Sequence, residues 1–93
     1  MKTWCVYIVK CADGSLYTGA TNSLKERIDT HNAGRGAKYT RARRPVHLVW
    51  SQPCESRGGA LAVEIHVKGL TRQQKLQMIQ DQQTNHLATG DPL

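Results

Sequence analysis

Two short apolar runs on either side of an Asp-Gly pair constrain the fold of this chain most. Residues 4–11 and 16–19 are rich in β-branched and aromatic side chains, and Asp13-Gly14 separates them. This pattern is typical of a β-hairpin. Successive side chains of a strand point to opposite faces of the sheet, so the length of the loop decides which residues share a face.

Whether the two tyrosines of this hairpin share a face depends on the loop length. A three-residue loop over residues 12–14, with Gly14 in the left-handed conformation, pairs Tyr7 with Gly19 and places Tyr7 and Tyr17 on one face. A two-residue loop would divide the tyrosines between the two faces. We predict the three-residue loop, with bare backbone opposite the first phenol.

Size and charge indicate one small basic domain with an acidic partner. The chain has 93 residues, and its 13 Lys and Arg against 7 Asp and Glu give a net charge of +6. The simplest acidic partner is the nucleic-acid backbone. Five cations and no acid lie between residues 35 and 44, and we predict that they contact DNA: Arg35, Lys38, Arg41, Arg43 and Arg44.

The sequence also predicts a cytoplasmic location. It has no signal-like apolar run at the N-terminus and nothing approaching ~18 consecutive apolar residues. The cysteines, Cys5, Cys11 and Cys54, are odd in number and lack the paired short spacing of a zinc site. We expect buried reduced thiols and no membrane association.

Capping and periodicity place a first helix after the hairpin. Ser23 followed by Glu26 is a capping-box pattern that predicts a helix over residues 24–32, with a glycine just past its end. Arg27 and His31 lie one turn apart and flank its apolar stripe. They should therefore point along the edge of the helix toward the sheet.

A third strand is predicted over residues 46–51. Its even positions carry Val46, Leu48 and Trp50, which strict alternation places together on the core face. A second helix is predicted over residues 56–70.

The C-terminal part should contain one more short helix and a tail. Thr71 and Gln74 form a second capping-box pattern, so this helix begins at residue 72, anchored by Leu76 and Ile79. We predict a single domain over residues 1–81 and a disordered tail over residues 82–93. The order ββα-β-αα predicts an α+β fold, with a small three-stranded antiparallel sheet flanked by helices.

Glu64 is the only acidic residue that the pattern places beside the core. One interpretation is an exposed ion pair with Lys68 at i+4, which contributes about 0.3 kcal/mol and is the commoner role of such a residue. The other is a carboxylate that holds a divalent cation for phosphodiester hydrolysis. In that case one ion, held by the carboxylate, phosphate and water, fits better than a two-metal site.

Four further side chains could take part in the same chemistry. Arg27 could bind a phosphate bidentately, and His31 could transfer a proton. A free tyrosine phenol has a pKa of about 10, so Tyr7 or Tyr17 needs cationic neighbours or a metal to act as a base. A solvated arginine, a helix-end histidine and half-buried strand tyrosines are the structural alternatives. The hairpin face and the two helices can nevertheless converge on one concavity.

At these spacings the sequence resembles the GIY-YIG endonuclease superfamily. Residues 5–7 (Cys-Val-Tyr) and 17–19 (Tyr-Thr-Gly) stand where its two triplets would stand. Arg27 matches the helix arginine, His31 the frequent His or Tyr one turn later, and Glu64 the metal-binding glutamate. Either triplet alone is weak evidence, whereas all elements in order are strong evidence.

Two further runs, residues 32–41 and 61–75, resemble the small stand-alone bacterial members, the YhbQ-like group, so the resemblance covers about residues 3–80. It implies a DNA endonuclease assisted by a divalent metal ion, Mg or Mn, in DNA repair or recombination. It also implies the roles of the site residues. Tyr7 would activate or orient the attacking water, Tyr17 would bind water or phosphate, Arg27 and His31 would stabilise the phosphate charge, and Glu64 would bind the metal.

The chain also departs from the family pattern. Cys5 replaces the glycine of the first triplet and Thr18 the isoleucine of the second. Larger members often carry an asparagine after the glutamate, and here Lys68 and Lys75 are the candidates to contact phosphate instead. We expect no separate DNA-binding domain, so a protein partner could supply specificity. The alternative functions are a non-catalytic nucleic-acid-binding module and a protein-interaction adaptor.

Overall fold

A three-stranded antiparallel sheet forms the centre of the computed structural model, which describes the backbone of residues 3–89 and the side chains of residues 3–84. The elements in chain order are β1 (Trp4–Lys10), β2 (Leu16–Thr21), α1 (Leu24–Asn32), α2 (Lys38–Arg41), β3 (His47–Cys54), α3 (Arg57–Lys68) and α4 (Arg72–Thr89). The strand order in the sheet is β2-β1-β3. The predicted α+β class and element order are confirmed, with the short helix α2 added inside the basic loop.

The hairpin has the predicted three-residue loop. Tyr7 lies opposite Gly19 in the register of β1 with β2. The Cys11 N–H donates to the Ser15 carbonyl at 2.8 Å, and Gly14 has a φ of +86°. Glycine reaches that conformation without a steric penalty. Tyr7 and Tyr17 consequently lie on the same face of the sheet.

Both faces of the central strand are buried, so β1 shows no polar alternation. One face packs under α3 and α4 in a cluster of Val6, Ile8, Trp50, Ala60, Val67 and Ile79. The other face forms a cluster of Tyr7, Val9, Cys11 and Val46, against which Leu24 and Ile28 of α1 pack. Tyr7 and Tyr17 lie on this second face, and α1, which packs on it, carries Arg27 and His31, whereas α3 carries Glu64.

The third strand departs from strict alternation. Its register with β1 shifts at Val49, which has no partner in the ladder. Val46 and Trp50 are both buried but lie in the two different clusters, and Leu48 is 43% exposed. The prediction that the three side chains share a core face was therefore wrong. A β-bulge adds one residue to a strand and reverses which side chains face a given side.

Helix α1 has the predicted bounds but not the predicted cap. Ser23 is the N-cap residue, yet its hydroxyl donates to Asn22 Oδ1 at 3.3 Å and caps no helix N–H. The other end of α1 is fixed to the start of β3. Asn32 Oδ1 accepts from the Val46 N–H at 2.7 Å, and Asn32 Nδ2 donates to the Val46 carbonyl at 3.1 Å.

Helix α3 lies within its predicted range, and α4 begins at its predicted capping box. Ser56 is the N-cap residue of α3. In the capping box of α4 the Thr71 N–H donates to Gln74 Oε1 at 2.9 Å, and the Gln74 N–H donates to Thr71 Oγ1 at 3.1 Å. Ile79 is buried as expected, but Leu76 is 40% exposed and does not anchor the helix.

Helix α4 is longer than predicted. Gln82 Nε2 donates to the Ser51 carbonyl at 2.7 Å, and Gln82 Oε1 accepts from the Ser51 N–H at 3.3 Å. These polar contacts hold α4 against β3 where the apolar pattern has ended, and the backbone of residues 82–89 is helical. Residues 90–93 lie outside the described residues, so the division into a domain over 1–81 and a tail over 82–93 stays a prediction. Among the described helices, none has the length and apolar character needed to cross a membrane.

Candidate active site

A buried hydrogen bond joins the central strand to the first helix. Tyr7 Oη lies 2.8 Å from His31 Nε2, with Tyr7 only 1% exposed and His31 fully buried. The ring of Tyr17 also meets the His31 ring edge-on, with centroids 5.4 Å apart. The shared face of the two phenols and the sheet-directed edge of α1 therefore bring these three side chains together.

Two glycines make room for these rings because they have no Cβ atom. A Cβ added at Gly19 would overlap the hydroxyl end of Tyr7, and one added at Gly36 would overlap the ring of His31. The hairpin register predicts bare backbone opposite Tyr7. The close approach of Gly36 to His31 could not be predicted from the sequence, because it depends on how the basic loop folds back over α1.

The second ring nitrogen of His31 is held by that loop. His31 Nδ1 lies 2.9 Å from Oγ1 of Thr40, a fully buried residue of α2. The Thr40 hydroxyl in turn donates to the Ala37 carbonyl at 2.9 Å. Sequence reasoning missed Thr40, since a threonine among exposed cations gives no sign of burial. Both nitrogens of His31 thus have buried partners.

Arg27 and Glu64 are both near enough to Tyr7 to influence its pKa. Burial raises the pKa of Tyr7 above its ordinary value, a hydrogen bond and the positive charge of Arg27 lower it, and the nearby Tyr17 and Glu64 raise it. Burial, and then the charge of Arg27, lower the pKa of His31. Tyr7 and His31 are consequently both neutral at pH 7.

Glu64 forms the ion pair with Lys68 that the sequence predicts, but its side chain is largely buried. Its Oε2 lies 3.1 Å from Lys68 Nζ in the i,i+4 pair, but its side chain is only 17% exposed, against 52% for Lys68. A solvated surface pair would expose both partners. The largely buried carboxylate is also near enough to Tyr7 for its charge to raise the pKa of that phenol.

A single carboxylate suits one hard cation. Among the residues that the structure describes, no three His, Cys, Asp or Glu side chains are close enough to form a metal cage. Mg²⁺ keeps several waters and is commonly held by one or two carboxylates and by substrate phosphate. Glu64 therefore fits the metal that the family implies, provided that phosphate and water supply the remaining ligands.

The predicted DNA-contacting loop divides into two kinds of cation. Arg43 Nε lies 3.0 Å from Asp13 Oδ2, and its guanidinium lies 3.9 Å from the centroid of the Tyr39 ring. Arg44 donates to two backbone carbonyls. These two side chains hold the loop in place. The other three are exposed: Arg35, Lys38 and Arg41.

Lys68 and Lys75 line a groove of about 270 Å³ next to Tyr17. Tyr39 of α2 also lines it and stacks on Tyr17, with ring centroids 6.0 Å apart and an angle of 22° between the rings. The groove thus adjoins the side chains around His31.

The cysteines lie outside this arrangement. Cys5 and Cys11 are buried and Cys54 is half-buried, and all three thiols are free. Burial, and then the neighbouring Cys54, raise the pKa of Cys5. Cys5 is accommodated inside the sheet at the position of the first triplet's glycine.

The fold and this set of side chains define a nuclease-type α+β domain. A model of the GIY-YIG catalytic domain matches residues 3–77 of the chain. This chain belongs to the GIY-YIG endonuclease superfamily, as its triplets and spacing predict.

The relatives place it among the small stand-alone members. The chain is 51% identical over 81 residues to the UPF0213 proteins of Staphylococcus aureus strains Mu3 and Mu50, across 87% of this chain and 99% of theirs. A solution structure of the UPF0213 protein of Bacillus halodurans is 44% identical, with a TM-score of 0.54, and covers 86% of this chain and 84% of its own. A solution structure from E. faecalis is 37% identical, with a TM-score of 0.60, and covers 100% of this chain and 96% of its own.

Proposed function

We propose that this protein is a divalent-metal-dependent DNA endonuclease that hydrolyses phosphodiester bonds, acting in the cytoplasm in DNA repair or recombination. The observation that carries the proposal is the buried chain of hydrogen bonds from Tyr7 through His31 to Thr40, with Arg27 and Glu64 beside the phenol. A protein that only binds DNA needs cationic side chains. It has no use for a buried acid–base pair next to a carboxylate.

We assign the proton of His31 to Nδ1. The Thr40 hydroxyl donates to the Ala37 carbonyl, so its oxygen accepts from His31 Nδ1–H at 2.9 Å. The Ala37 N–H also lies 3.4 Å from Nδ1, which is too long to compete with that bond. Nε2 then carries a lone pair and accepts the hydroxyl proton of Tyr7. A hydrogen bond at one ring nitrogen commonly fixes the tautomer of a histidine that acts as a base.

This arrangement lets a buried phenol act as a base at neutral pH. The Tyr7 proton moves to His31 Nε2 while Tyr7 Oη takes a proton from the attacking water. The water oxygen bonds to phosphorus, the bond from phosphorus to the leaving oxygen breaks, and the leaving oxygen takes a proton from solvent. A positioned base of this kind contributes roughly 10²–10⁴-fold in rate. Tyr7 is only 1% exposed, so its hydroxyl is shielded from bulk water.

The remaining side chains bind and neutralise the phosphate. The Arg27 guanidinium favours the ionised form of Tyr7, so it would stabilise the phenolate and the negative charge that develops on phosphorus oxygens. Tyr17 contacts His31 edge-on, and its hydroxyl would bind water or phosphate. Glu64 would hold the metal ion, Mg or Mn, and the ion would supply Lewis-acid polarisation of the phosphate. A partner protein could add substrate specificity.

Nicking of a supercoiled plasmid tests this function against a non-catalytic binding module. We expect the wild type to nick with Mn²⁺ or Mg²⁺, to stop in EDTA, and to lose nicking on Glu64→Gln while DNA binding persists. Glu55→Gln is the matched control, since it removes one exposed acid outside the site. Equal DNA binding by all three proteins without any nicking would establish the binding module instead.

A further inference from the structure

Two adjoining depressions beside Tyr17 form one groove along the start of β2. Both are lined by Leu16, Tyr39 and Lys75. The first, of about 270 Å³, is also lined by Tyr17, Thr18 and Lys68. The second, of about 220 Å³, is also lined by Ser15 and Arg72. We name this continuous surface the β2 groove. It runs from the candidate active site to the first turn of α4.

The lining of the β2 groove is cationic and partly apolar. Lys68, Lys75 and Arg72 line it, and no carboxylate does. In the described part of the chain, Lys75 and Arg72 have no ion pair, whereas Lys68 is paired with Glu64. Leu16 and the Tyr39 ring supply apolar surface between these cations. Cations that follow a backbone beside an aromatic surface are the general means of binding a nucleic-acid strand.

Thr18 provides a second, independent observation. It is 3% exposed and lines the part of the groove next to Tyr17. Among the described residues, its Oγ1 is the only buried side-chain polar atom without a hydrogen-bond partner. An unsatisfied buried hydroxyl is costly, so such a group calls for a partner supplied from outside the chain. A phosphate oxygen or a base edge in the groove would be that partner.

We propose that the β2 groove binds the nucleotide next to the phosphate that is cut. Its base lies against Leu16 and Tyr39, its phosphate lies between Lys68 and Lys75, and the Thr18 hydroxyl hydrogen-bonds it. Arg72 holds the following phosphate. This inference rests on the proposed nuclease function and deepens it, because it fixes where the substrate strand leaves the active site. It gives Arg72, Thr18 and Tyr39 binding roles that the charge pattern of the sequence does not indicate.

Binding of a fluorescently labelled DNA oligonucleotide, measured by anisotropy in EDTA, tests the proposal without cleavage. Thr18→Val keeps the shape of the side chain and removes the hydroxyl. We expect it to weaken binding about tenfold, the effect of losing one hydrogen bond to a charged group. The midpoint of thermal unfolding should not fall, because the hydroxyl has no partner within the described chain.

The salt dependence of binding tests the phosphate contact at Arg72. We expect Arg72→Gln to reduce the slope of log K against log salt by about 0.7–0.9, the value for one lost phosphate contact. Arg57→Gln is the matched control, since Arg57 is an exposed arginine at the first position of α3 and outside the groove. It should leave the slope unchanged.

The outcomes separate this inference from the function on which it rests. If the wild type binds and both Thr18→Val and Arg72→Gln behave like Arg57→Gln, the groove assignment is overturned, while plasmid nicking still decides the nuclease function. If the wild type does not bind DNA at any salt concentration, the proposed function fails and the groove assignment fails with it.

Discussion

The hydroxyl of Tyr7 and the Nε2 atom of His31 lie 2.8 Å apart, in a hydrogen bond closed to solvent between residues 24 positions apart in the sequence. The bond crosses from the central strand to the first helix. Because burial lowers the pKa of His31, the imidazole is neutral at physiological pH and can accept the phenol's proton. The chemistry proposed for this protein follows from that relationship.

Thr40 should act as a positioning residue for His31. Thr40→Val removes the acceptor of Nδ1–H and leaves that group unpaired, which costs about 1–3 kcal/mol of stability. Without a fixed tautomer, cleavage should slow by at least about tenfold. Thr40→Ser, which keeps the hydroxyl, should restore the rate. A purely structural role would give Thr40→Val a wild-type single-turnover rate whenever the protein is folded.

The pKa of His31 predicts the acid limit of cleavage. His31 must be neutral to accept a proton, and its pKa is lowered by burial and by Arg27. The acid limb of the rate profile should therefore lie below pH ~6.5, the ordinary histidine value. Arg27→Gln removes one of the two causes that lower the pKa of His31. The variant should cleave slowly, and the acid limb of its remaining activity should lie at a higher pH. A limb at or above pH 6.5 in the wild type contradicts the assignment.

The same pKa predicts how stability varies with pH. As pH falls below ~6.5, the unfolded chain protonates His31 and the folded chain does not, so stability falls by up to about 1.4 kcal/mol per pH unit. Thermal unfolding at pH 7.5 and 5.5 measures this loss. It should be smaller in His31→Gln and unchanged in His66→Gln, since His66 is exposed on α3. Equal losses in both variants would show that other groups cause the effect.

The two glycines that face the site should not tolerate a side chain. A Cβ at Gly19 meets Tyr7 and one at Gly36 meets His31, so each alanine variant should lose about 1–3 kcal/mol of stability and most cleavage. Gly58→Ala is the control. Its Cβ would meet nothing closer than Ser56 Oγ at 4.0 Å, and alanine in that helix should add about 0.5–1 kcal/mol. Chemical denaturation gives all three values.

The positions of Tyr7, Tyr17 and Gly19 could be predicted from the sequence because they are decided locally. A three-residue loop with a left-handed Gly14 sets the register of the hairpin, and the register sets the shared face. Helical periodicity likewise predicts, from local sequence alone, which side of α1 carries Arg27. Such features depend on residues within one hairpin or one helix, which a short stretch of sequence encodes.

Other features depend on contacts between distant segments. The bulge at Val49 has no signature in the alternation of β3, so Leu48 was placed in the core by mistake. Thr40 is buried only because the basic loop folds over His31. The polar contact of Gln82 with β3 likewise has no periodic signal. In each case the deciding partner is far away in the sequence.

The single-turnover rate of DNA cleavage by Tyr7→Phe, measured with saturating enzyme and Mn²⁺, tests the central claim most directly. The phenyl ring keeps the buried packing and removes only the hydroxyl that bonds His31. We predict DNA binding within about twofold of the wild type and a rate at least ~10²-fold lower. Cleavage by Tyr7→Phe at the wild-type rate would contradict the account.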